Sequence, residues 1–157
     1  MTNPEPVPSL TTDPEAAFED LDVGAPRVGI VMGSKSDLPA MEAAERELNE
    51  RGIRCEVRVM SAHREPDLVA DYAKNARMRG IKVLIAGAGL SAALPGVVAA
   101  HTDLPVIGVP LTSRTSIGGG LDALLSIVQM PPGVPVATVG VDNAKNAAVL
   151  AARILSI

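Results

Sequence analysis

Short apolar runs alternate with segments of helical periodicity from Arg27 to the end of this chain, and that alternation restricts the fold more than any other feature. The first run is Arg27 to Met32. A helix should follow, with Asp37 as its N-cap, Pro39 in its first turn and Leu38, Met41, Ala44 and Leu48 on its buried face. Gly52 can end it. A second strand is expected over Ile53 to Met60. Pro66 then opens a helix that buries Leu68, Val69, Tyr72, Ala73 and Ala76 and stops at Gly80. The third strand is Lys82 to Ala86, with Gly87-Ala88-Gly89 read as a turn into a helix around Leu90 to Ala100. Pro105 to Val109 is the fourth strand. A loop over Pro110 to Gly120 leads to a helix near Leu121 to Val128, broken by Met130-Pro131-Pro132-Gly133. Val134 to Val139 is the fifth strand and Asn143 to Ile157 the last helix.

Strands separated by single helices must run parallel, because a helix returns the chain to the end of the sheet where it started. Right-handed crossovers then give an α/β, three-layer, doubly wound domain of the flavodoxin-like kind. Its five-stranded parallel sheet has the expected order 2-1-3-4-5, with ligand in the crevice at the switch point between strands one and three.

Residues 1–26 differ from the rest. They hold five prolines, six acids (Glu5, Asp13, Glu15, Glu19, Asp20 and Asp22) and no base, and they lack sustained apolar periodicity. A disordered acidic, proline-rich tail is the expectation, with the folded domain over 27–157. The formal net charge is −4, so the domain itself carries 14 bases against 12 acids. A surplus of two bases with no basic stripe argues against nucleic-acid binding. Tyr72 is the domain's one aromatic residue, which leaves no stacking platform for single strands.

No apolar run is long enough to span a membrane, and the start of the chain lacks the basic-then-apolar order of a signal peptide. Cys55 is the sole cysteine, so neither an internal disulfide nor a cysteine-rich metal site can form, and a small buried strand residue is its expected part. Cytoplasm is the expected compartment.

Chemistry concentrates after the first two strands. Gly33-Ser34-Lys35-Ser36-Asp37 matches neither the P-loop nor the dinucleotide fingerprint. It offers two hydroxyls, a carboxylate and the unpaired N–H groups of a helix start, which suit an anion and sugar hydroxyls. Ser36 and Asp37 can equally serve only as helix caps. Ser61-Ala62-His63-Arg64 ends the second strand and holds one of the chain's two histidines. An imidazole titrates near neutral pH, so His63 is a candidate general acid/base, or else a surface histidine. Without neighbouring cysteine or acidic ligands it makes a poor metal site. Arg64 can grip phosphate or carboxylate with two parallel N–H bonds, or remain a solvated charge. His101, before Thr102-Asp103, suits a helix C-terminus. Gly87-Ala88-Gly89 allows close backbone approach to a ligand. Ser113 to Gly120 is a flexible loop, able to fold over a site or merely to cross between elements.

Six ordered segments together resemble the PurE family of purine biosynthesis. They are Met32-Gly33-Ser34-Lys35-Ser36-Asp37, Ser61-Ala62-His63-Arg64, Ala86-Gly87-Ala88-Gly89, Leu94-Pro95-Gly96, Gly108-Val109-Pro110 and Ser126-Ile127-Val128-Gln129-Met130-Pro131. The resemblance implies interconversion of N5-carboxyaminoimidazole ribonucleotide and 4-carboxy-5-aminoimidazole ribonucleotide through trapped CO2. It implies no metal and no organic cofactor. His63 would be the proton shuttle, and Arg64 would hold the phosphate. Ser34 and Asp37 would bind the ribonucleotide, in a site completed by Gly33, Ser61, Gly87, Ala88, Gly89 and Leu94. The family assembles as a homo-octamer, and the Gln129-Met130-Pro131 loop would complete a neighbour's site. The apolar run Ala147 to Ala152 suits an interface helix or packing on its own sheet.

This chain departs from the mutase pattern in four places. Ala93 stands where a second, substrate-contacting histidine is expected, and Glu65 replaces a common threonine. The loop after Pro110 is about two residues longer than the family's and carries Arg114, and the chain stops at Ile157. The first and third changes keep other readings open: direct carboxylation of aminoimidazole ribonucleotide by CO2, carboxylation of another nucleotide, or a non-catalytic nucleotide-binding module.

Overall fold

The computed structural model describes residues 24–157. The expected tail over 1–26 therefore lies outside the described residues, apart from Gly24 to Pro26.

Five strands form one sheet: β1 (Val28–Met32), β2 (Cys55–Val59), β3 (Val83–Gly89), β4 (Val106–Leu111) and β5 (Ala137–Thr138). Among the described residues five helices connect and close it: α1 (Leu38–Glu50), α2 (Pro66–Asn75), α3 (Leu94–Ala100), α4 (Leu121–Val128) and α5 (Ala144–Leu155). Single 3-10 turns lie at Lys35–Asp37 and Arg77–Arg79. All pairings are parallel and the order is β2-β1-β3-β4-β5, the expected one.

The side-chain alternation of the strands divides the core in two. Val28, Ile30 and Met32 join Val83, Ile85, Ile107 and Val109 on one face, under Met41, Ala44 and Leu48 of α1 and Ala144, Ala147, Ala148 and Ala151 of α5. Val31, Leu84 and Ala86 join the other face, under Val69, Tyr72 and Ala73 of α2, Leu94 and Val98 of α3, and Ala123 and Ile127 of α4. The alanine face of α5 is thus consumed inside the protomer, where small side chains let α5 sit close to α1 and the sheet. Each buried aliphatic side chain contributes on the order of 1.5–3 kcal/mol through removal from water.

Several boundaries differ from the sequence expectation, each for a physical reason. Gly87, Ala88 and Gly89 are not a turn: they continue β3, opposite Val109, Pro110 and Leu111. A β-carbon at Gly87 would lie 2.5 Å from the Met41 sulfur, so the missing carbon leaves room for the Met41 side chain of α1 over the strand. The turn falls instead at Leu90, whose φ is 55°. Ala92 and Ala93 then bond back to Leu90 and Ser91, which delays α3 to Leu94. The fifth strand shrinks to two residues because Pro135 has no N–H to donate at this sheet edge. Asp37 occupies the N-cap position of α1, as expected, but its side chain makes no cap bond there. Ser34 caps the 3-10 turn by accepting from the Ser36 N–H, and Asp37 bonds back to the Ser34 N–H at 3.1 Å. Leu68 is exposed rather than buried, and Cys55, on edge strand β2, is only half-buried.

Candidate active site

Parallel strands bring the segments after β1, β2, β3 and β4 to the same end of the sheet, and a cleft of about 240 Å³ opens there. Gly33, Ser34, Ser36 and Asp37 line it from the β1 loop, and Ser61, Ala62, His63 and Arg64 from the β2 loop. Ala88 to Leu94 form its floor, and Thr112 and Ser113 line it beyond β4.

The two polar loops are tied together. The Arg64 guanidinium donates to the Gly33 carbonyl oxygen at 3.0 Å. Within the β2 loop, the Ser61 hydroxyl accepts from the Arg64 N–H at 3.3 Å, and the Glu65 N–H donates to the Ser61 carbonyl at 2.8 Å. Glu65 returns its carboxylate to the Ser61 N–H at 3.4 Å. This small turn leaves His63 and Arg64 exposed at the cleft while Ser61 is buried beneath them. In the β1 loop, the Ser36 hydroxyl bonds to the Ser34 oxygen at 2.9 Å. Burial pushes the Asp37 carboxyl above the usual carboxylate range, and the Ser34 N–H opposes that rise only in part.

The cleft therefore carries a fork-shaped cation, an imidazole, hydroxyls and one carboxylate whose charged form is disfavoured by burial. Such a set can hold a phosphorylated sugar and move a proton. Among the described residues no group of three or more His, Cys, Asp or Glu side chains is placed to hold a metal ion.

Nine of the ten expected site residues meet here: Gly33, Ser34, Asp37, Ser61, His63, Arg64, Ala88, Gly89 and Leu94. Gly87 does not; it lies one residue below the cleft, where its part is to admit Met41. Ala93, the position of the expected second histidine, does line the cleft, so a methyl group occupies that part of the wall. Thr112 went unmarked by the sequence reading. The signal was present, since Thr112 directly follows β4 at the ligand end of a parallel sheet.

The family model described as AIR carboxylase matches residues 27–157. The chain belongs to the AIR carboxylase family. Among curated AIR carboxylase relatives, the N5-carboxyaminoimidazole ribonucleotide mutase of Thermotoga maritima is 63% identical over 84% of this chain and 76% of its own. The mutase of the same name from Pyrococcus abyssi is 60% identical over 86% of this chain and 76% of its own. A solved structure of Treponema denticola PurE superposes with a TM-score of 0.73 at 37% identity, covering 82% of this chain and 79% of that one. The strand order derived above is therefore the sheet of a PurE-like fold.

Proposed function

We propose that this AIR carboxylase family member interconverts N5-carboxyaminoimidazole ribonucleotide and 4-carboxy-5-aminoimidazole ribonucleotide in purine biosynthesis. The observation that carries this reading is the convergence of Ser34, Asp37, His63 and Arg64 on one cleft, in a chain 60% and 63% identical to relatives named for that mutase reaction. Arg64 and the β1 loop hold the ribonucleotide. The bond between the exocyclic nitrogen and its carboxylate breaks, releasing CO2 into the cleft, and the nitrogen takes a proton from the His63 imidazolium. The ring carbon then attacks CO2, and the neutral imidazole removes the proton from that carbon. Protons balance over the cycle, and no external carboxyl donor enters. Keeping water out of the cleft while CO2 is free favours recapture over escape.

Ala93 favours a second reading, in which the same site carboxylates aminoimidazole ribonucleotide with external CO2. The two are separated by turnover of the N-carboxylated ribonucleotide in the presence of labelled CO2. Isomerisation faster than label incorporation supports the mutase; label entering at the full rate of product formation supports the carboxylase.

We also propose self-association, up to the family's octamer. On α4, Leu121, Leu125 and Val128 recur at helical spacing and are 49%, 49% and 48% exposed, and Ile117 beside them is 73% exposed. Such a stripe suits burial against another copy. A monomeric mass by light scattering at micromolar concentration would overturn it. No helix among the described residues is long and apolar enough to cross a membrane, and cytoplasm is the proposed compartment.

A further inference from the structure

Asp142, in the turn between β5 and α5, has a φ of 57°, a left-handed conformation uncommon for any residue but glycine. Three hydrogen bonds accompany that strain. Its own N–H donates to the Pro110 carbonyl at 2.8 Å. Its Oδ1 accepts from the Thr112 N–H at 2.8 Å, and its Oδ2 accepts from the Thr112 hydroxyl. The turn thus clasps the end of β4 on both sides of Leu111. Immediately beyond, Thr112 and Ser113 form the cleft wall, whereas Asp142 itself does not reach the cleft. The chain after Ser113 is largely exposed and contains Gly118, Gly119 and Gly120, all left-handed, with φ of 59°, 65° and 100°. The bonds made within the rest of the loop are local, Ser113 with Ser116 and Ile117 with Asp122, so the Asp142 clasp is what ties its start to a segment remote in sequence.

We infer that Asp142 is a positioning residue for the substrate, holding Thr112 and Ser113 as the wall across the sheet from the His63 loop. The inference rests on the ribonucleotide reading above. By strand order, the loops after β2 and β4 bound the cleft at opposite sides, with β1 and β3 between them. The clasp therefore sets one side of its width. Thr112 and Ser113 carry hydroxyls that bind but do not exchange protons near neutral pH, so the clasp serves binding and not the proton transfer.

The test is kinetic analysis of Asp142→Gly and Asp142→Asn, with amide hydrogen exchange on both. Glycine adopts the same φ without strain, so that variant removes the carboxylate while the left-handed turn stays accessible. Asparagine keeps an oxygen for the Thr112 N–H and tolerates the left-handed backbone. Asp142→Gly is expected to raise KM roughly tenfold with kcat within about threefold of wild type, and Asp142→Asn to recover most of the loss. Exchange should quicken in Asp142→Gly over 111–117 and stay unchanged in the β1 and β3 ladder. An unchanged KM, or a lowered kcat with faster exchange throughout the domain, overturns the inference. If wild-type protein turns over neither ribonucleotide, the mutase reading fails separately. The exchange over 111–117 then decides the clasp, and no change there in Asp142→Gly refutes it.

Discussion

The guanidinium of Arg64 and the carbonyl of Gly33 meet at 3.0 Å across 31 positions of sequence, so the residue proposed to hold phosphate also holds the β1 and β2 loops together. Both tasks use the planar fork, which lysine lacks. Arg64→Lys should therefore behave as a damaged site and not as a conservative change. KM is expected to rise by about 10-fold or more, with a smaller fall in kcat, as for loss of a charge-assisted hydrogen bond. Steady-state kinetics on the N-carboxylated ribonucleotide would show this, and a wild-type KM in the lysine variant would contradict it.

His63 lines the same cleft but has a different task. His63→Asn retains polarity and approximate size while removing the titrating ring. Turnover should fall by roughly 10²–10⁴-fold, the usual contribution of a positioned acid or base. Calorimetric affinity for the ribonucleotide should change by only a few-fold. Equal losses in affinity and turnover would make His63 a binding group.

Asp37 gives a pH signature. Burial raises its carboxyl above the ordinary range, so the folded protein holds the proton more tightly than the unfolded chain. The stability this confers is fully present below the unfolded value, about 3.9 for a free aspartate, and is lost as pH rises through the folded value. Asp37→Asn removes the titration. Its stability relative to wild type should therefore improve across that window and level off above it, while ribonucleotide binding falls. Denaturant melts of both proteins at several pH values would test this; a parallel pH dependence would refute it.

Leu90 occupies a left-handed conformation, with φ of 55°, at the turn where β3 leaves the sheet. Relieving that conformation with glycine gains about 1 kcal/mol, and the added freedom of glycine in the unfolded chain costs a similar amount. Leu90→Gly should leave the Tm within about 3 °C of wild type. Leu90→Val, β-branched and still left-handed, should lower it more. Thermal denaturation of the pair distinguishes strain from lost contact.

Sequence periodicity was sufficient for the fold because three buried strands, two edge strands and the helices between them leave one economical arrangement. Right-handed crossovers and the need to cover both faces of the sheet lead to the order β2-β1-β3-β4-β5, in which the direction of winding reverses once, beside β1. The polar part of the site was also legible, because glycine, serine, histidine and arginine follow apolar runs at the end where ligands bind. The floor was not. Ala86-Gly87-Ala88-Gly89 has the composition of a turn, and only the positions of Met41 and Leu111, remote in sequence, show why the strand continues with glycine at 87 and 89. Thr112 and Asp142 were hidden for the same reason: their contact spans 30 positions and leaves no local pattern. Asp37 carries helix-capping chemistry, but the hydrogen bond it makes closes a 3-10 turn one step earlier than expected.

The extension of β3 through Gly89 has a consequence for how such a protein can change. Gly87 pairs with both β1 and β4, and Ala88 and Gly89 go on pairing with β4, so the base of the cleft shifts only when strand pairing at this end of the sheet is broken. The loops around the rim are joined to it by a handful of side-chain bonds. Changes in the exposed loop around Arg114 can accumulate there and retune what is admitted, while the platform beneath stays in register.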